Sequence, residues 1–215
     1  MDFMKIIKSL ELLLYELMVW LVFYPLTLAR SVIHPLRLMV YSDDEIEQAE
    51  EDRYSDTLSP PIFLAITLGL IHLVELAGGW NIQSEGFLAD DRNLIAYRLV
   101  AFSLFPLMLS LRMLRSQGVV LDRKTLREPF YAQCFIAAPF ALGVNSGVLA
   151  IAATRTFTTG LAIMLLAVIW YLAVQTAWFR EERDISLVRA FGNAVRGFFE
   201  ALVIVVLLGV VVDAL

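Results

Sequence analysis

Long apolar segments dominate the chain from residue 58 onward, and five of them approach or exceed the 20 or so residues that cross a bilayer. The two clearest are the 26 uncharged residues between Glu128 and Arg155 and the 24 between Arg155 and Arg180. The other three cover residues 61–80, 93–114 and 197–215. The pattern predicts an all-α fold, a polytopic membrane bundle of five transmembrane helices over residues 58–215.

The first 41 residues follow a different pattern, in which polar side chains recur at helical spacing among apolar ones. The polar stripe consists of Lys5, Lys8, Ser9 and Glu16. The longest uncharged run, residues 17–29, is only 13 residues long and contains Pro25. An amphipathic helix in the membrane interface fits this pattern better than a sixth span. We therefore expect residues 1–41 to form an interfacial segment, with a sixth span as the alternative.

Residues 42–57 are strongly acidic and show little apolar periodicity. Charge runs are usually solvated, so we expect a cytosolic linker or a short exposed helix here. A docking site for a basic partner is the alternative interpretation.

The distribution of Lys and Arg predicts the orientation, because cytoplasmic loops of membrane proteins carry an excess of both. With the N-terminus in the cytoplasm, 14 of the 17 Lys and Arg residues fall on the inner side. The three on the outer side are Arg92, Arg98 and Arg155. We expect a multi-pass protein of the cell (inner) membrane, with its N-terminus inside and its C-terminus outside.

Composition agrees with a membrane protein and excludes several classes of function. Hydrophobic residues make up 59% of the chain and charged residues 18%, against about 25% charged in soluble domains. The single cysteine, Cys134, rules out an internal disulfide or a cysteine-based metal site. A net charge of −5 with dispersed basic residues argues against nucleic acid. No catalytic motif is present, so we expect no enzyme, no cofactor and no metal, and the lipid bilayer as the main partner.

Ionisable side chains inside the predicted spans need a compensating partner, because charge is costly in hydrocarbon. His72 and Glu75 are three residues apart, which places them on one helix face. At about 1.5 Å of rise per residue, Glu75 and Arg98 lie at matching depth on antiparallel neighbours, and we expect them to pair. Asn145 and Ser146, in the third span, reach the same layer in the outer half of the membrane.

Two interpretations of this intramembrane polar cluster stay open. The first is a buried ion pair with hydrogen-bonded neighbours that fixes the register of the helices. The second is a water-filled vestibule, or a site that handles protons or ions. A cavity that leads to His72 would favour the second interpretation, and a dry, packed pair the first.

Small residues in the third span predict a close helix contact. Gly143 and Gly147 form a GxxxG pair, and Ala137 and Ala141 extend the stripe by one turn. Such stripes let helix backbones approach closely in membranes. A second copy of the chain or another membrane protein is therefore a candidate partner.

Three segments of the chain resemble the Yip1-like superfamily, and within it the bacterial members labelled permeases. The segments are SPPIFLAITLGLIH, YAQCFIAAPFALG and IWYLAVQTAWF. The resemblance is one of architecture and of a few aromatic and proline positions over about residues 60–215. It implies a cytosolic N-terminus followed by five spans, and the permease label implies transport. Eukaryotic relatives are membrane-trafficking proteins, some of which engage small GTPases, but no residue here matches such a binding site.

Two functions follow from these observations. A permease- or channel-like protein would use the polar cluster to contact an ion or a small solute. A non-transporting scaffold or partner subunit of a membrane complex would use the small-residue stripe and the acidic segment instead. A membrane enzyme is disfavoured, because no nucleophile or set of metal ligands accompanies the cluster.

Overall fold

The computed structural model describes residues 3–48, 53–80 and 86–213, which form seven α-helices and one short 3₁₀ helix, Gly86–Ala89. The α-helices are α1 (Phe3–Ile33), α2 (Pro35–Glu47), α3 (Pro60–Gly78), α4 (Asp91–Gln117), α5 (Arg123–Thr154), α6 (Phe157–Arg183) and α7 (Leu187–Asp213). The prediction of an all-α helical bundle is confirmed.

Six of the described helices, all except α2, are long and apolar enough to cross a membrane by length and composition. Five of them, α3 to α7, correspond to the five predicted spans. The sixth is α1, in the segment expected to lie in the interface. Helix α7 begins at Leu187 rather than near Gly197. Its first turns stay helical outside the apolar stretch, where Arg196 pairs with Glu200 one turn later (2.9 Å).

Helix α1 differs from the interfacial helix expected for this segment. It continues unbroken through Pro25. Three contacts tie it to the α3 region: Arg30 to Asp56 (2.8 Å), Thr27 to Leu58 (3.3 Å) and Tyr24 to Thr67 (3.2 Å). Residues nearer the start of α1 therefore meet residues further along α3, so the two helices run antiparallel at this point. Helix α1 is thus long and apolar enough for the alternative of a sixth span, and its place in the interface stays a prediction.

Helix α5 is the centre of the bundle and packs against α1, α2, α3, α4 and α6. Its middle turns carry mostly small side chains, which let several neighbours approach at once. The residues of this stretch that are fully buried are Cys134, Phe135, Ile136, Ala137, Ala138 and Ala141. Next to them, the rings of Phe140 and Tyr171 stack with centroids 4.4 Å apart.

The predicted packing stripe of α5 faces α6 of the same chain. A Cβ atom added to Gly143 would lie 2.7 Å from the Cβ of Ala167, and one on Gly147 would lie 2.7 Å from the carbonyl oxygen of Gly160. Both distances are shorter than any ordinary Cβ contact. The stripe is therefore occupied within the chain, and these two glycines are not free for a second copy.

Helix α2 crosses the predicted boundary between the interfacial segment and the acidic linker. It runs to Glu47, and its residues Ser42 and Glu45 are buried. The Glu45 carboxylate accepts hydrogen bonds from the Tyr54 backbone N–H and from the Gln48 side chain. The first part of the predicted solvated linker is thus a helix that packs on α5. Residues 49–52 of that linker lie outside the described residues.

Helix direction defines two ends of the bundle. Glu75, near the end of α3, pairs with Arg98 in the first turns of α4, so these two helices run antiparallel, and the short α4–α5 connection turns the chain back so that α5 runs the same way as α3. Helix α4 runs the opposite way between them. The ends of α3 and α5 and the start of α4 therefore lie together, at what we call the outer end after the predicted orientation. The α4–α5 and α6–α7 connections lie at the opposite, inner end.

Candidate functional site

The polar cluster begins in the last turns of α3, whose end is fixed by a glycine. Gly79 adopts a left-handed conformation (φ 62°) and donates its N–H to the Leu76 carbonyl, and Trp80 donates to the Glu75 carbonyl. This pair of bonds is a Schellman ending. It leaves Glu75 one turn, and His72 two turns, below the outer end of α3, with both side chains on one face.

Helix α4 supplies the second side of the cluster. The side chain of Asp90 caps its first turn by accepting from the Arg92 N–H (2.8 Å). Asp91 is the first helical residue, and its side chain is 63% exposed. Arg98 follows two turns later, about 10 Å further into the bundle. The start of α4 thus holds an exposed carboxylate above a buried guanidinium.

The predicted ion pair between α3 and α4 is present. Arg98 Nη1 lies 2.5 Å from Glu75 Oε2, as expected for a charge-assisted hydrogen bond. The two residues are 9% and 5% exposed. A buried pair at this distance compensates both charges, which explains how an arginine and a glutamate are tolerated inside a membrane bundle.

His72 lies between two carboxylates without a hydrogen bond to either. Its Nδ1 is 3.7 Å from Glu75 Oε2, and its Nε2 is 3.8 Å from Asp91 Oδ1. Both distances exceed the usual range for a hydrogen bond. The imidazole is 5% exposed, whereas Asp91 above it faces outward. We call His72, Glu75, Asp91 and Arg98 the outer-end cluster.

Two buried atoms of the outer-end cluster have no hydrogen-bond partner among the described residues. They are Nδ1 of His72 and the second carboxylate oxygen, Oε1, of Glu75. Buried polar atoms nearly always find a partner in native proteins, because an unpaired one costs free energy of about 1–3 kcal/mol. These two atoms therefore have capacity for a further donor or acceptor, such as a water molecule, a proton or a polar solute.

The chemistry available to the cluster is that of proton and solute contact. A protonated His72 would face two carboxylates, while the neutral ring offers one donor and one acceptor nitrogen. Among the described residues, no group of three or more His, Cys, Asp or Glu side chains is arranged to hold a metal ion. The arrangement accordingly offers hydrogen-bonding and charged groups to a ligand.

Asn145 and Ser146 do not join the hydrogen bonds of the cluster. Asn145 is buried, but its side-chain amide donates to the Ala141 carbonyl of its own helix (2.8 Å). Ser146 is half-buried on the next position of α5. Neither residue hydrogen-bonds to His72, Glu75 or Arg98 within the part of the chain that the structure describes. A buried asparagine can satisfy its amide locally in this way, and the shared layer of Asn145 and Ser146 with the cluster stays a prediction.

Sequence reasoning missed two polar features. The first is Asp91, which lies next to the predicted start of the second span. A carboxylate at such a position is normally interpreted as a solvated residue outside the span. Gln133 and Gln175 form two reciprocal hydrogen bonds, of 2.8 and 2.6 Å, in the fully buried centre of α5 and α6. These glutamines lie about equally far from the α5–α6 connection, and that symmetry about a helical hairpin could have predicted their pairing.

A third polar group links α4 and α7 near the inner end. Arg112 lies 3.2 Å from the Glu200 carboxylate, and its Nε donates to Asn193 (3.1 Å). Glu200 also pairs with Arg196 (2.9 Å). Glu200 is therefore at the opposite end from the outer-end cluster, as its depth in the last span predicts.

Comparison of the chain with protein-family models, with curated proteins and with solved structures gives no match. The six long apolar helices make the chain a multi-pass membrane protein. Any finer statement of function depends on the geometry of its polar groups.

Proposed function

We propose that this protein is permease- or channel-like, and that its outer-end cluster contacts a proton or a small polar solute. One observation carries the proposal: His72 and Glu75 are each 5% exposed, yet each keeps a polar atom without a partner among the described residues. A purely structural pair would be expected to satisfy these atoms. The free capacity is suited to a mobile ligand.

The surroundings of His72 supply a route and a charge pattern for such a ligand. Asp91 is mostly exposed at the outer end, and its carboxylate lies 3.8 Å from His72 Nε2. It therefore connects the buried ring to the water outside. On the other side of the ring, Glu75 is already neutralised by Arg98. A proton taken up by His72 would thus add one positive charge close to the unpaired carboxylate of Asp91.

The proposal can be tested by the protonation of His72 itself, because the chain has only two histidines. We would label the protein with ¹⁵N-histidine, place it in lipid nanodiscs and follow both rings by NMR as the pH changes. The variant His34→Gln assigns the remaining signals to His72. We expect the signals of the His72 ring to show exchange with water. A ring that is shielded from water would contradict the proposal.

Transport is the second readout. Liposomes with an internal pH dye would report proton entry after an external acid step. We expect the wild-type protein to admit protons and the rate of entry to be lower in His72→Gln and Glu75→Gln. The rate should be unchanged in His34→Gln, because His34 lies at the junction between α1 and α2. Equal rates in all four proteins would exclude proton transport through the cluster. Binding of a polar solute would then be measured from the NMR signals of His72.

A scaffold or partner subunit is the second candidate. It is favoured by the short, buried ion pair between Glu75 and Arg98, which would hold α3 and α4 together as a structural contact. The other two observations that suggested a scaffold give it less support now. Gly143 and Gly147 pack inside the chain, and part of the acidic segment packs on α5. A His72 ring sealed from water would favour this candidate.

The orientation and the Yip1-like relationship are proposals as well. We propose that the inner end faces the cytoplasm, from the excess of Lys and Arg there, and that α1 is a sixth span. The second proposal departs from the Yip1-like layout, which has five spans and a cytosolic N-terminus. It would bring both termini to the outer side.

The topology can be read by thiol labelling, because the one native cysteine, Cys134, is fully buried. In intact cells, an impermeant thiol reagent should not label Asp122→Cys or Asp184→Cys but should label Arg155→Cys. Lys5→Cys decides the role of α1: labelling from outside supports a span, and protection supports the interfacial helix. Outside labelling of Asp122→Cys would reverse the orientation.

A further inference from the structure

A second site lies on the lipid-facing side of the bundle, in a groove of about 690 Å³ between α4 and α5. Its apolar walls come mainly from leucine side chains of α4 and from Leu126 and Phe130 of α5. Arg123 and Arg127, in the first two turns of α5, line the groove as well. The groove thus combines hydrocarbon-like walls with two cations in the turns of α5 nearest its inner end.

The two arginines have no counter-charge paired with them among the described residues. Among the described residues neither forms an ion pair, and Arg127 instead lies over the ring of Tyr131, 5.2 Å from its centroid. The carboxylate of Asp122, next to Arg123 in sequence, caps the helix by accepting from the backbone N–H groups of Lys124 and Thr125 (both 2.8 Å). Glu128, next to Arg127 in sequence, forms no ion pair with either arginine among the described residues.

The helix dipole makes this arrangement unfavourable unless an anion is supplied. The N-terminus of a helix carries partial positive charge, and cations are normally placed at the other end. Helix α5 starts with Arg123 and Lys124 and adds Arg127 one turn later. Three cations at the positive end, beside one capping aspartate, form an electropositive site that an external anion would stabilise.

We propose that this groove binds an anionic phospholipid, with its phosphate against Arg123 and Arg127 and an acyl chain along the apolar walls. The length is suitable: Arg123 and Tyr131 are about 12 Å apart along α5, close to the half-thickness of the hydrocarbon core. Basic pockets between transmembrane helices are a known type of site for anionic headgroups. A free phosphate would use the arginines only and would leave the apolar walls without an occupant. This site does not depend on the proposed function of the outer-end cluster.

The test uses the purified full-length protein and native mass spectrometry in a mild detergent, titrated with phosphatidylglycerol or phosphatidylcholine of the same chains. We expect phosphatidylglycerol to bind at least ten-fold more tightly. In Arg123→Gln/Arg127→Gln its affinity should fall by about 25-fold, or about five-fold for each arginine removed near the surface. The matched control, Arg183→Gln/Arg189→Gln, removes two cations near the inner end that do not line the groove and should bind like the wild type.

A second variant tests the apolar walls at constant charge. Leu107→Trp fills the groove, and we expect it to reduce binding of phosphatidylglycerol while circular dichroism and melting without lipid stay unchanged. Equal affinities for the two lipids, or equal losses in the groove and control pairs, would overturn the proposal. Displacement of phosphatidylglycerol by millimolar inorganic phosphate would assign the site to free phosphate, and a dimer lost in Leu107→Trp would assign the groove to a second copy.

Discussion

The Gln133–Gln175 pair and the outer-end cluster are both polar groups buried between helices of one bundle, and they differ in how many of their atoms find partners. The two glutamines exchange hydrogen bonds in both directions and are fully buried. In the cluster, Arg98 and Glu75 pair closely while His72 Nδ1 and Glu75 Oε1 stay without a partner among the described residues. A reciprocal amide pair specifies helix register and is complete by itself. A partly satisfied ionisable group keeps capacity for a ligand.

The helices around each group account for this difference. Helices α5 and α6 approach closely through Gly143, Gly147 and Gly160, and Gln133 and Gln175 are fully buried further along the same contact. The cluster instead lies near the ends of α3 and α4, where Asp91 is open to the outside. The glutamine pair is therefore a structural contact inside the hairpin, whereas the outer-end cluster lies beside an exposed carboxylate.

Removing the acid of the cluster should produce the largest effect. Glu75→Ala leaves the Arg98 guanidinium buried without its counter-charge, and we expect it to lower the free energy of unfolding in detergent by about 3 kcal/mol or more. Glu75→Ala/Arg98→Ala should recover part of this loss. Glu200→Ala is the control, because it breaks a half-exposed ion pair worth about 1 kcal/mol or less. If Glu75→Ala, Arg98→Ala and the double variant melt alike, the pair contributes nothing.

Overfilling the α5–α6 contact should come next. In Gly147→Ala the new methyl group would meet Met164 and the Gly160 carbonyl, so we expect a loss of about 2 kcal/mol in the free energy of unfolding. Gly192→Ala on α7 is the matched control, since nothing lies within 4 Å of its added Cβ. There the higher helix propensity of alanine should stabilise slightly. Equal behaviour of the two variants would mean that the hairpin is less tightly packed than described.

A smaller effect is expected from the amide pair. Gln133→Leu leaves the Gln175 amide unpaired in the core, at a cost of about 1–2 kcal/mol. Gln133→Leu/Gln175→Leu removes both polar groups and should return close to the wild-type stability. A double variant as unstable as the sum of the two single variants would show that the glutamines do not act as a pair.

The sequence predicted the helical class and the Glu75–Arg98 contact because both follow from local rules, the length of apolar runs and the rise per residue of a helix. It did not predict the contribution of Asp91, since the end of a span is set by capping and not by hydropathy. It also did not predict which polar residues near His72 hydrogen-bond with one another. The side chain of Asn145 turned out to bond within α5, and such local hydrogen bonds are invisible to an argument from depth.

The N-terminal region and the acidic segment show a second limit of sequence reasoning. Four polar positions in α1 favoured an interfacial helix, whereas the contacts that fix the direction of α1 in the fold involve residues 24–30 rather than the stripe. Likewise α2 packs on α5, and the polar groups of its buried residues Ser42 and Glu45 bond within the fold. Charge composition predicts solvation only where no partner is brought nearby by the tertiary structure.

Asp43, on α2 at the inner end, can be compared with Glu75. Both are carboxyl groups with limited exposure, but no arginine pairs with Asp43 among the described residues. Burial, together with the nearby carboxylates of Glu128, Glu182 and Asp44, raises its pKa from 3.8 to about 8. Its Oδ1 has no hydrogen-bond partner among the described residues. Unlike Glu75, this acid is therefore expected to be kept neutral by its surroundings.

The consequence is a stability that falls as the pH rises. Between pH 4 and 8 the folded protein keeps the proton on Asp43, whereas the unfolded chain loses it, so each step up in pH favours unfolding. Asp43→Asn removes this loss and should raise the free energy of unfolding at pH 8.5 by about 1 kcal/mol, after allowance for solvent screening, with no change at pH 4. The control Glu47→Gln alters an exposed acid on the same helix that is not among the carboxylates acting on Asp43, and it should leave the pH profile unchanged. Thermal melts of the three proteins in detergent across this range would measure the effect, and a wild-type profile that matches that of Asp43→Asn would mean that Asp43 is ionised in the folded protein at neutral pH.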